Sequence, residues 1–497
     1  MTSPLVLTSP SLLAAIDLGS NSFHLQVGRV EGDQLYYLDA HKESVRLAGG
    51  LTPTGTLDAA SQRRALDCLA RMGERLRGMP PEAVRVVGTN TLRVARNAED
   101  FLVRARAALG FDIEVVAGRE EARLIYLGVS HSLAHDEAPR LVVDIGGGST
   151  ECIIGRGYQP SERESTRIGC VVYSNQFFPR GVVTKAAMKE ARLAAEVALG
   201  PVAAQFRRGR WETAIGSSGT ARALGEILLQ NGQSDGAITR AGLKWLCAQM
   251  VAAGTTRALD IPGLKVDRKP VIAGGLAVMA GLFEALDIET MAVAQGAMRE
   301  GILWDLLGRS HHEDMREVTV GQFMRRYHVD VAQARRVEAT TLTLLAGTGE
   351  IDAAALRFAR WAAQLHEIGL SIAHSGQHRH AAYILENADM PGFSRQDQAF
   401  LARIVRASRG GLVKLALAVD APAWRLILPL RLAVLLNQSR IGAVAADVRL
   451  SCRSGACTLN LGHPDAPDGP LTRAALELEL RQWQDLAAAW RLVRVGR

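Results

Sequence analysis

Residues 141–154 read Leu141-Val142-Val143-Asp144-Ile145-Gly146-Gly147-Gly148-Ser149-Thr150-Glu151-Cys152-Ile153-Ile154. An apolar run of strand length ends in Asp-x-Gly, passes through a glycine-rich turn and resumes as a second apolar run. The same order occurs at Ala14-Ala15-Ile16-Asp17-Leu18-Gly19-Ser20-Asn21-Ser22, with strands continuing at Val27–Glu31 and Leu35–Asp39. Two strand–turn–strand units, one at Asp17 and one at Asp144, predict an α/β domain present in duplicate, with a cleft between the copies.

The intervening sequence fits that plan. Leu57 to Leu76 is helical, with Leu66, Leu69, Met72 and Leu76 on one face. Val84–Val87 and Ile113–Val116 read as strands, and Asp100–Leu109 and Glu120–Ser132 as helices. From residue 309 the texture changes. His311-His312-Glu313-Asp314 reads as an exposed linker, and helical patterns follow at 331–346, 353–369, 396–409 and 425–440, with Asp330 as an N-cap. Val448–Leu450 and Thr458–Leu461 read as short strands around a turn at Gly455, and a last helix is predicted over 471–492.

Three glycine-rich turns carry the chemistry: Gly19-Ser20-Asn21-Ser22, Gly146-Gly147-Gly148-Ser149-Thr150 and Gly216-Ser217-Ser218-Gly219-Thr220. Glycine admits close approach of an anion, and successive backbone N–H groups form a nest for phosphate. Ser20, Ser22, Ser149 and Thr150 add hydroxyl donors. One such turn is commonplace as a tight hairpin; three, two of them led by an Asp at a strand end, point to phosphate. An acid beside a phosphate loop repels its ligand unless a cation lies between them. Asp17 and Asp144 therefore imply a hard metal, most simply Mg²⁺, and Glu151 is placed to hold the same ion. Taken alone, Glu151 reads equally as a strand residue at the surface.

Composition narrows the class. The chain has 497 residues and 48% hydrophobic content, enough for more than one core, since single cores stop growing at about 250–300 residues. Six cysteines, at 68, 152, 170, 247, 452 and 457, include no C-x-x-C pair, so they read as reduced, mostly buried thiols of a cytoplasmic protein. Met1-Thr2-Ser3-Pro4-Leu5 lacks the basic start of a signal peptide. The longest uncharged apolar stretch, Pro270–Phe283, is short of the roughly 20 residues that span a bilayer, so no transmembrane segment is expected. Of the net charge of +7, residues 309–497 contribute 24 − 18 = +6 and residues 1–308 contribute 34 − 33 = +1. A polyanionic partner would prefer the second part. Aromatic content is 5% and no stacking platform stands out, which argues against nucleic acid.

The opening Ala14-Ala15-Ile16-Asp17-Leu18-Gly19-Ser20-Asn21-Ser22-Phe23-His24 closely resembles that of bacterial exopolyphosphatases and guanosine pentaphosphate phosphatases. The resemblance continues through Gly88-Thr89-Asn90-Thr91-Leu92-Arg93, Arg119-Glu120-Glu121-Ala122-Arg123-Leu124, Val143–Glu151 and Gly296-Ala297-Met298-Arg299-Glu300-Gly301. It includes Leu365-His366-Glu367-Ile368-Gly369-Leu370 and His374-Ser375-Gly376-Gln377-His378-Arg379-His380 and covers nearly the whole chain. It implies two actin-like, ribonuclease-H-like α/β domains around a phosphate cleft, an all-α HD-like domain and a small α+β C-terminal domain. The expected bounds are 1–125, 126–308, 309–445 and 446–497. It assigns the catalytic base to Glu121, phosphate binding to Arg93 and Mg²⁺ to Asp144 and Glu151; Asp17 joins the metal set on the charge argument above. It further implies a homodimer. Removing a terminal phosphate needs an oriented water and neutralised phosphoryl oxygens, which that set supplies. Without the resemblance, Glu121 is simply an acid in a helix first turn.

In the HD-like region the doublet is His366-Glu367 and Asn437 stands where an Asp would be sought, so a second metal centre is not expected there. Its His378, Arg379, His380, Arg406 and Arg409, with Lys265, Arg268 and Lys269 of the second α/β domain, are expected to form a basic path for a polyphosphate tail; as isolated residues they read equally as solvated surface. The leading expectation is an exopolyphosphatase that processively hydrolyses inorganic polyphosphate. Gly148, where the pentaphosphatase branch tends to carry Ala, and the His374–His380 segment favour polyphosphate. The nearest rival is guanosine pentaphosphate, or both substrates. An actin-like ATPase or sugar kinase would carry a purine pocket after the third loop and no glutamate serving a water. A non-catalytic polyphosphate or alarmone sensor would tolerate loss of Glu121 and the metal carboxylates.

Overall fold

The structure is a computed structural model that describes residues 11–31, 34–133, 137–310, 314–412, 421–440, 448–461, 470–484 and 491–496. Met1–Leu5 and three residues of the expected linker, His311–Glu313, lie outside the described residues. The chain forms two compact units, Met1–Asp314 and Met315–Arg497.

The first unit holds two sheets. Strands β1 (Ser11–Leu18), β2 (Phe23–Glu31), β3 (Gln34–Glu43), β4 (Val84–Gly88) and β5 (Ile113–Val115) are ordered 3-2-1-4-5. β1–β2 and β2–β3 are antiparallel, and β1–β4 and β4–β5 are parallel. The second sheet repeats that scheme with β6 (Arg140–Ile145), β7 (Thr150–Arg156), β8 (Gln159–Thr166), β9 (Thr213–Ser217) and β11 (Thr290–Val293), ordered 8-7-6-9-11. β10 (Ile238–Thr239) is added antiparallel at the far edge. The order shared by the two sheets is the duplication legible in the sequence, and the two lobes are actin-like.

Helices α1 (Ala59–Arg75), α2 (Asn90–Val94) and α3 (Ala98–Leu109) belong to the first lobe. α4 (Gly118–His131) runs on past residue 125, where the sequence places a domain boundary. The second lobe adds α5 (Cys170–Phe177), α6 (Lys185–Phe206), α7 (Ser218–Gln230), α8 (Arg240–Ala253) and α9 (Ile272–Ala285), and α10 (Met298–Ser310) closes the unit. α4 and α10 lie between the two sheets. Their apolar faces share one core with Leu13, Ala15 and Val87 of the first sheet and Val142, Ile153 and Ile215 of the second. Glycine allows this approach: a Cβ at Gly301 would collide with the Leu124 carbonyl, and one at Gly128 with the Ala297 carbonyl. Buried charges bind the same junction. Arg123 pairs with Glu120 and Asp305, and Arg85 with Asp305 and Glu114.

In the second unit, α11 (Met315–Arg326), α12 (Val331–Ala346), α13 (Ala353–Leu365), α14 (Gln377–Asn387), α15 (Arg395–Ala407) and α16 (Ala421–Leu436) precede a three-stranded sheet of β12 (Val448–Arg453), β13 (Ala456–Leu461) and β14 (Arg491–Gly496). α17 (Pro470–Gln484) lies between β13 and β14 in sequence. Helices and sheet share one core, from Trp361 and Leu401 to Leu459, Trp483 and Leu492. Asp330 caps α12 as expected, accepting from the Gln333 N–H at 3.0 Å. α13 stops at Leu365, and Ile368–Ser371 tightens into a 3₁₀ turn. The last helix is described over Pro470–Gln484 and does not reach residue 492: Arg491–Gly496 pairs parallel to β13, a tertiary partner that no local periodicity encodes. Nor are all six cysteines reduced. Cys452 and Cys457 face each other across the β12–β13 hairpin and form a disulfide, while the other four are free.

Candidate active site

Each of the three predicted loops sits where a strand of the two sheets ends. Leu18 pairs with Phe23 and Ile145 with Thr150, so each hairpin is closed by a four-residue turn, Gly19–Ser22 and Gly146–Ser149. The Gly146 N–H donates to the Ser149 carbonyl at 2.9 Å. A Cβ on Gly19 would stand 2.8 Å from the Ser22 carbonyl oxygen, so glycine is required. β9 runs through Ser217 into α7, with Ser218 in the left-handed region at φ 74°. The loops are tied together: Ser218 and Thr220 hydroxyls both donate to the Ile145 carbonyl, at 3.0 and 2.9 Å, and Thr91 donates to Ser20 at 2.8 Å.

Between these loops lies a cavity of about 120 Å³. Asp17, Gly19, Ser20, Asn21, Ser22, Glu121, Asp144, Gly146, Gly147, Ser149, Ser218 and Gly219 line it. Other predicted residues stand behind the wall. Thr150 is buried and its hydroxyl donates to the Ile168 carbonyl at 2.7 Å. Gly216 packs against Ala221 and Met291, and Ser217 donates to the Gly296 carbonyl at 3.1 Å. A Cβ on Gly148 would stand 2.1 Å from the amide nitrogen of Asn90, the end of a side chain able to turn aside. Glu151 is opposite Asp144 in the hairpin and accepts from Ser165 at 2.7 Å. Arg93 reaches the site through Glu121: one guanidinium nitrogen donates to the Glu121 carboxylate at 2.6 Å and to the Val116 carbonyl at 3.0 Å.

The electrostatics are those of crowded acids. Burial, then Glu121 and Asp144, push the Asp17 carboxyl up to about 8. Burial pushes Asp144 up to about 6, held back by the neighbouring Ser217 and Ser218 hydroxyls. Glu151 is raised well above its ordinary value by burial and by the same neighbours. Asp17 Oδ1 is buried with no hydrogen-bond partner. Among the described residues no three acids, histidines or cysteines converge as a ready-made ligand set. This donor set fits a hard cation that takes part of its oxygen shell from phosphate and water, as Mg²⁺ does.

A second cavity of about 1190 Å³ opens beside the first, and His24, Gly219, Arg222, Arg268 and Arg299 line both. Lys42 and Lys265 line the larger one, together with the apolar side chains Leu229, Leu264 and Val293. Lys269 lines neither. Arg299 donates to His24 Nδ1 at 3.2 Å and pairs with Glu300 at 2.8 Å. Burial and the cations Arg299, Lys42, Arg222 and Arg268 drive His24 down to about 3, so the ring is neutral. Sequence reading singled out neither His24 nor Arg222 nor Lys42 for the site. Arg222 is two residues past the third loop and Lys42 is on an edge strand, and nothing local distinguishes either. His378, Arg379, His380, Arg406 and Arg409 belong to the second unit, where Arg379, Arg409, Arg431 and Arg406, after burial, hold His378 below its ordinary value.

A duplicated actin-like sheet that joins three phosphate-type loops to a nest of carboxylates defines a class of phosphate-handling proteins. The chain belongs to the Ppx/GppA phosphatase family: it matches that family over residues 26–310 and the family's domain III over residues 315–480. It is 39% identical to the guanosine-5'-triphosphate,3'-diphosphate pyrophosphatase of Vibrio atlanticus (strain LGP32), over 96% of this chain and 97% of the relative. A Vibrio cholerae relative of the same name is also 39% identical, with the same shares covered. Among solved structures, an exopolyphosphatase from Cytophaga hutchinsonii is 25% identical with a TM-score of 0.55, covering 60% of this chain and 98% of that one. The Aquifex aeolicus PPX-GPPA enzyme is 26% identical with a TM-score of 0.50, over 60% and 99%.

Proposed function

We propose that the protein hydrolyses the terminal phosphate of a phosphoanhydride chain, and that guanosine pentaphosphate is its first substrate. This reverses the preference for polyphosphate drawn from Gly148 and the His374–His380 segment. Gly148 lies against the end of the Asn90 side chain and is not among the residues lining the phosphate cavity, so it weighs little in the choice of substrate. The observation that supports the nucleotide is the cavity of about 1190 Å³ beside the phosphate cleft. It lies along the helix that follows the third loop, where a purine-nucleotide enzyme of this fold would hold its base, and a linear phosphate chain needs no such room. The full-length relatives named for the guanosine substrate point the same way.

The terminal phosphate enters the 120 Å³ cavity, held by backbone N–H groups of the Gly19–Ser22 and Gly146–Ser149 turns and by the Ser20, Ser22 and Ser149 hydroxyls. Its oxygens compete for Arg93, which then releases Glu121 to orient the attacking water and take its proton. Arg93 contributes a planar fork that Lys cannot supply. Asp17, Asp144 and Glu151 would hold Mg²⁺, which would supply charge neutralisation at the phosphoryl oxygens. Arg222, Arg268, Arg299 and Lys42 receive the charges farther along the substrate, with Lys265 at the cavity wall.

Polyphosphate is the second reading, favoured by the basic groups His378, Arg379, His380, Arg406 and Arg409, a surface a polyanion would select. Cytoplasmic location and a homodimer stand with the proposal. Among the described residues no helix is long and apolar enough to cross a membrane.

The test is phosphate release with Mg²⁺ from guanosine pentaphosphate and from long-chain polyphosphate, side by side, for wild type and Glu121→Gln. Release from guanosine pentaphosphate is expected, and a loss of about 10²–10⁴-fold in the variant, the usual worth of a general base. Release from polyphosphate alone would overturn the substrate assignment. Undiminished turnover by Glu121→Gln would overturn the base.

A further inference from the structure

The two cavities of the cleft meet at His24, Gly219, Arg222, Arg268 and Arg299. Three of these are arginines and one has no side chain, so His24 is the neutral side chain of the junction. The strands put it there. His24 faces Asp17 in the β1–β2 register, one pair inward from the Leu18–Phe23 pair that closes the first phosphate turn. Opposed residues of an antiparallel pair project from the same side of the sheet. Phe23 and Leu25, on either side of His24, are buried in the core of the first lobe, which leaves His24 on the side of Asp17.

Its hydrogen is placed by its neighbour. A guanidinium has only hydrogens to offer, so the 3.2 Å contact from Arg299 makes Nδ1 an acceptor. A neutral imidazole that accepts at Nδ1 carries its one hydrogen on Nε2. A second proton, on Nδ1, would set two donors head to head, and Arg299, Lys42, Arg222 and Arg268 all oppose a charged ring. Among the described residues Nε2 makes no hydrogen bond to the protein, and it keeps access to the cavity. The ring therefore presents one neutral N–H, without an acceptor of its own, where the two cavities join.

The consequence rests on the phosphohydrolase reading and is the same for either substrate. With the terminal phosphate in the smaller cavity and the rest of the substrate in the larger, the scissile P–O–P bridge crosses the junction. The geometry points to His24 as a catalytic hydrogen-bond donor, through Nε2–H, to the oxygen that leaves. Water oxygen bonds to the terminal phosphorus and its proton passes to Glu121. The bond from that phosphorus to the bridging oxygen breaks, and its electron pair stays on the oxygen. Nε2–H bonds that oxygen as charge grows there and keeps its own proton, since a phosphoanhydride leaving group needs none. The arginines meet charge the substrate already carries; the histidine meets charge that appears only as the bond breaks, which is the kind of contact that raises kcat.

Two substitutions divide the ring's functions. His24→Asn can still accept from Arg299 but brings no donor to the place of Nε2. His24→Gln carries an amide N–H to that place and gives up the acceptor for Arg299. Phosphate release from guanosine pentaphosphate and from tripolyphosphate should show kcat about 10²-fold lower in His24→Asn, the usual loss when one donor to a developing charge is removed, with little change in KM. His24→Gln should recover most of it. The reverse order would make His24 a prop for Arg299 and overturn the proposal, as would two variants that behave alike or a change confined to KM. Nitrogen NMR of histidine-labelled wild type at neutral pH needs no variant: it should find His24 neutral with its proton on Nε2, and a charged ring or a proton on Nδ1 would overturn the proposal. Glu121→Gln separates this inference from the reading beneath it. Activity lost in Glu121→Gln but intact in His24→Asn would sink the inference alone, whereas wild type that releases phosphate from neither substrate would sink both.

Discussion

Asp17 shows how one carboxylate senses its whole surroundings. Its raised value, about 8 against an ordinary 3.8, means that the folded protein holds its proton more tightly than the unfolded chain does. Stability from this group is complete below about pH 4 and is lost as pH climbs towards 8. The melting temperature of metal-free protein should therefore fall between pH 5 and 8, less steeply in Asp17→Asn. Added Mg²⁺ should restore more stability at the upper end, where the carboxylates it needs are free of protons. Differential scanning measurements across that range, with and without Mg²⁺, check both; a flat wild-type profile would contradict the crowding of acids described here. The cations give the complementary case. Lys42→Ala with Lys265→Ala should raise KM for guanosine pentaphosphate about tenfold or more, with a smaller effect on kcat, because both groups line the larger cavity and not the one that takes the reacting phosphate.

The elements that matter most are α4 and α10. α4 carries Glu121 on its first turn, and α10 carries Arg299 and Glu300 on its own. Glu300 caps α10 by accepting from the Ala297 N–H at 2.8 Å, and the two helices touch through glycine. Gly301→Ala forces a methyl into the Leu124 carbonyl. The expected cost is about 1–3 kcal/mol, as for overpacking elsewhere, with kcat falling because Glu121 and Arg299 move apart. Urea unfolding and steady-state kinetics on the one variant measure both; unchanged values would mean that the helix pair has slack. The capping box of α15, Ser394 with Asp397, gives a control far from the chemistry. Ser394→Ala should cost about 1 kcal/mol of stability and leave kcat/KM for guanosine pentaphosphate unchanged.

At the scale of the molecule, the cavity beside the cleft collects Lys42, Arg222, Lys265, Arg268 and Arg299, against which Asp267 stands 3.9 Å from Lys42. Such a cluster steers a polyanion and is screened by salt. KM for guanosine pentaphosphate should rise severalfold between low and moderately high ionic strength while kcat changes little. A salt-independent KM would place substrate recognition outside this chamber.

The sequence alone determined what depends on neighbours in the chain. Strand–Asp-x-Gly–turn–strand is a local pattern, so the two loops at Asp17 and Asp144, the duplicated α/β sheet and the carboxylates at its strand ends were legible before any coordinates. The Asp330 cap was legible for the same reason, since a side chain bonds a backbone N–H three residues on. The tertiary structure decided what depends on residues far apart. It paired Arg93 with Glu121, turned the Thr150 hydroxyl away to Ile168 and set Gly148 against the Asn90 side chain. It brought His24, Arg222 and Lys42 to one cavity and made a strand of the last stretch of chain. Each of these rests on a contact between separate elements, and the free energy of such a contact is written in the packing of the pair, not in the periodicity of either segment.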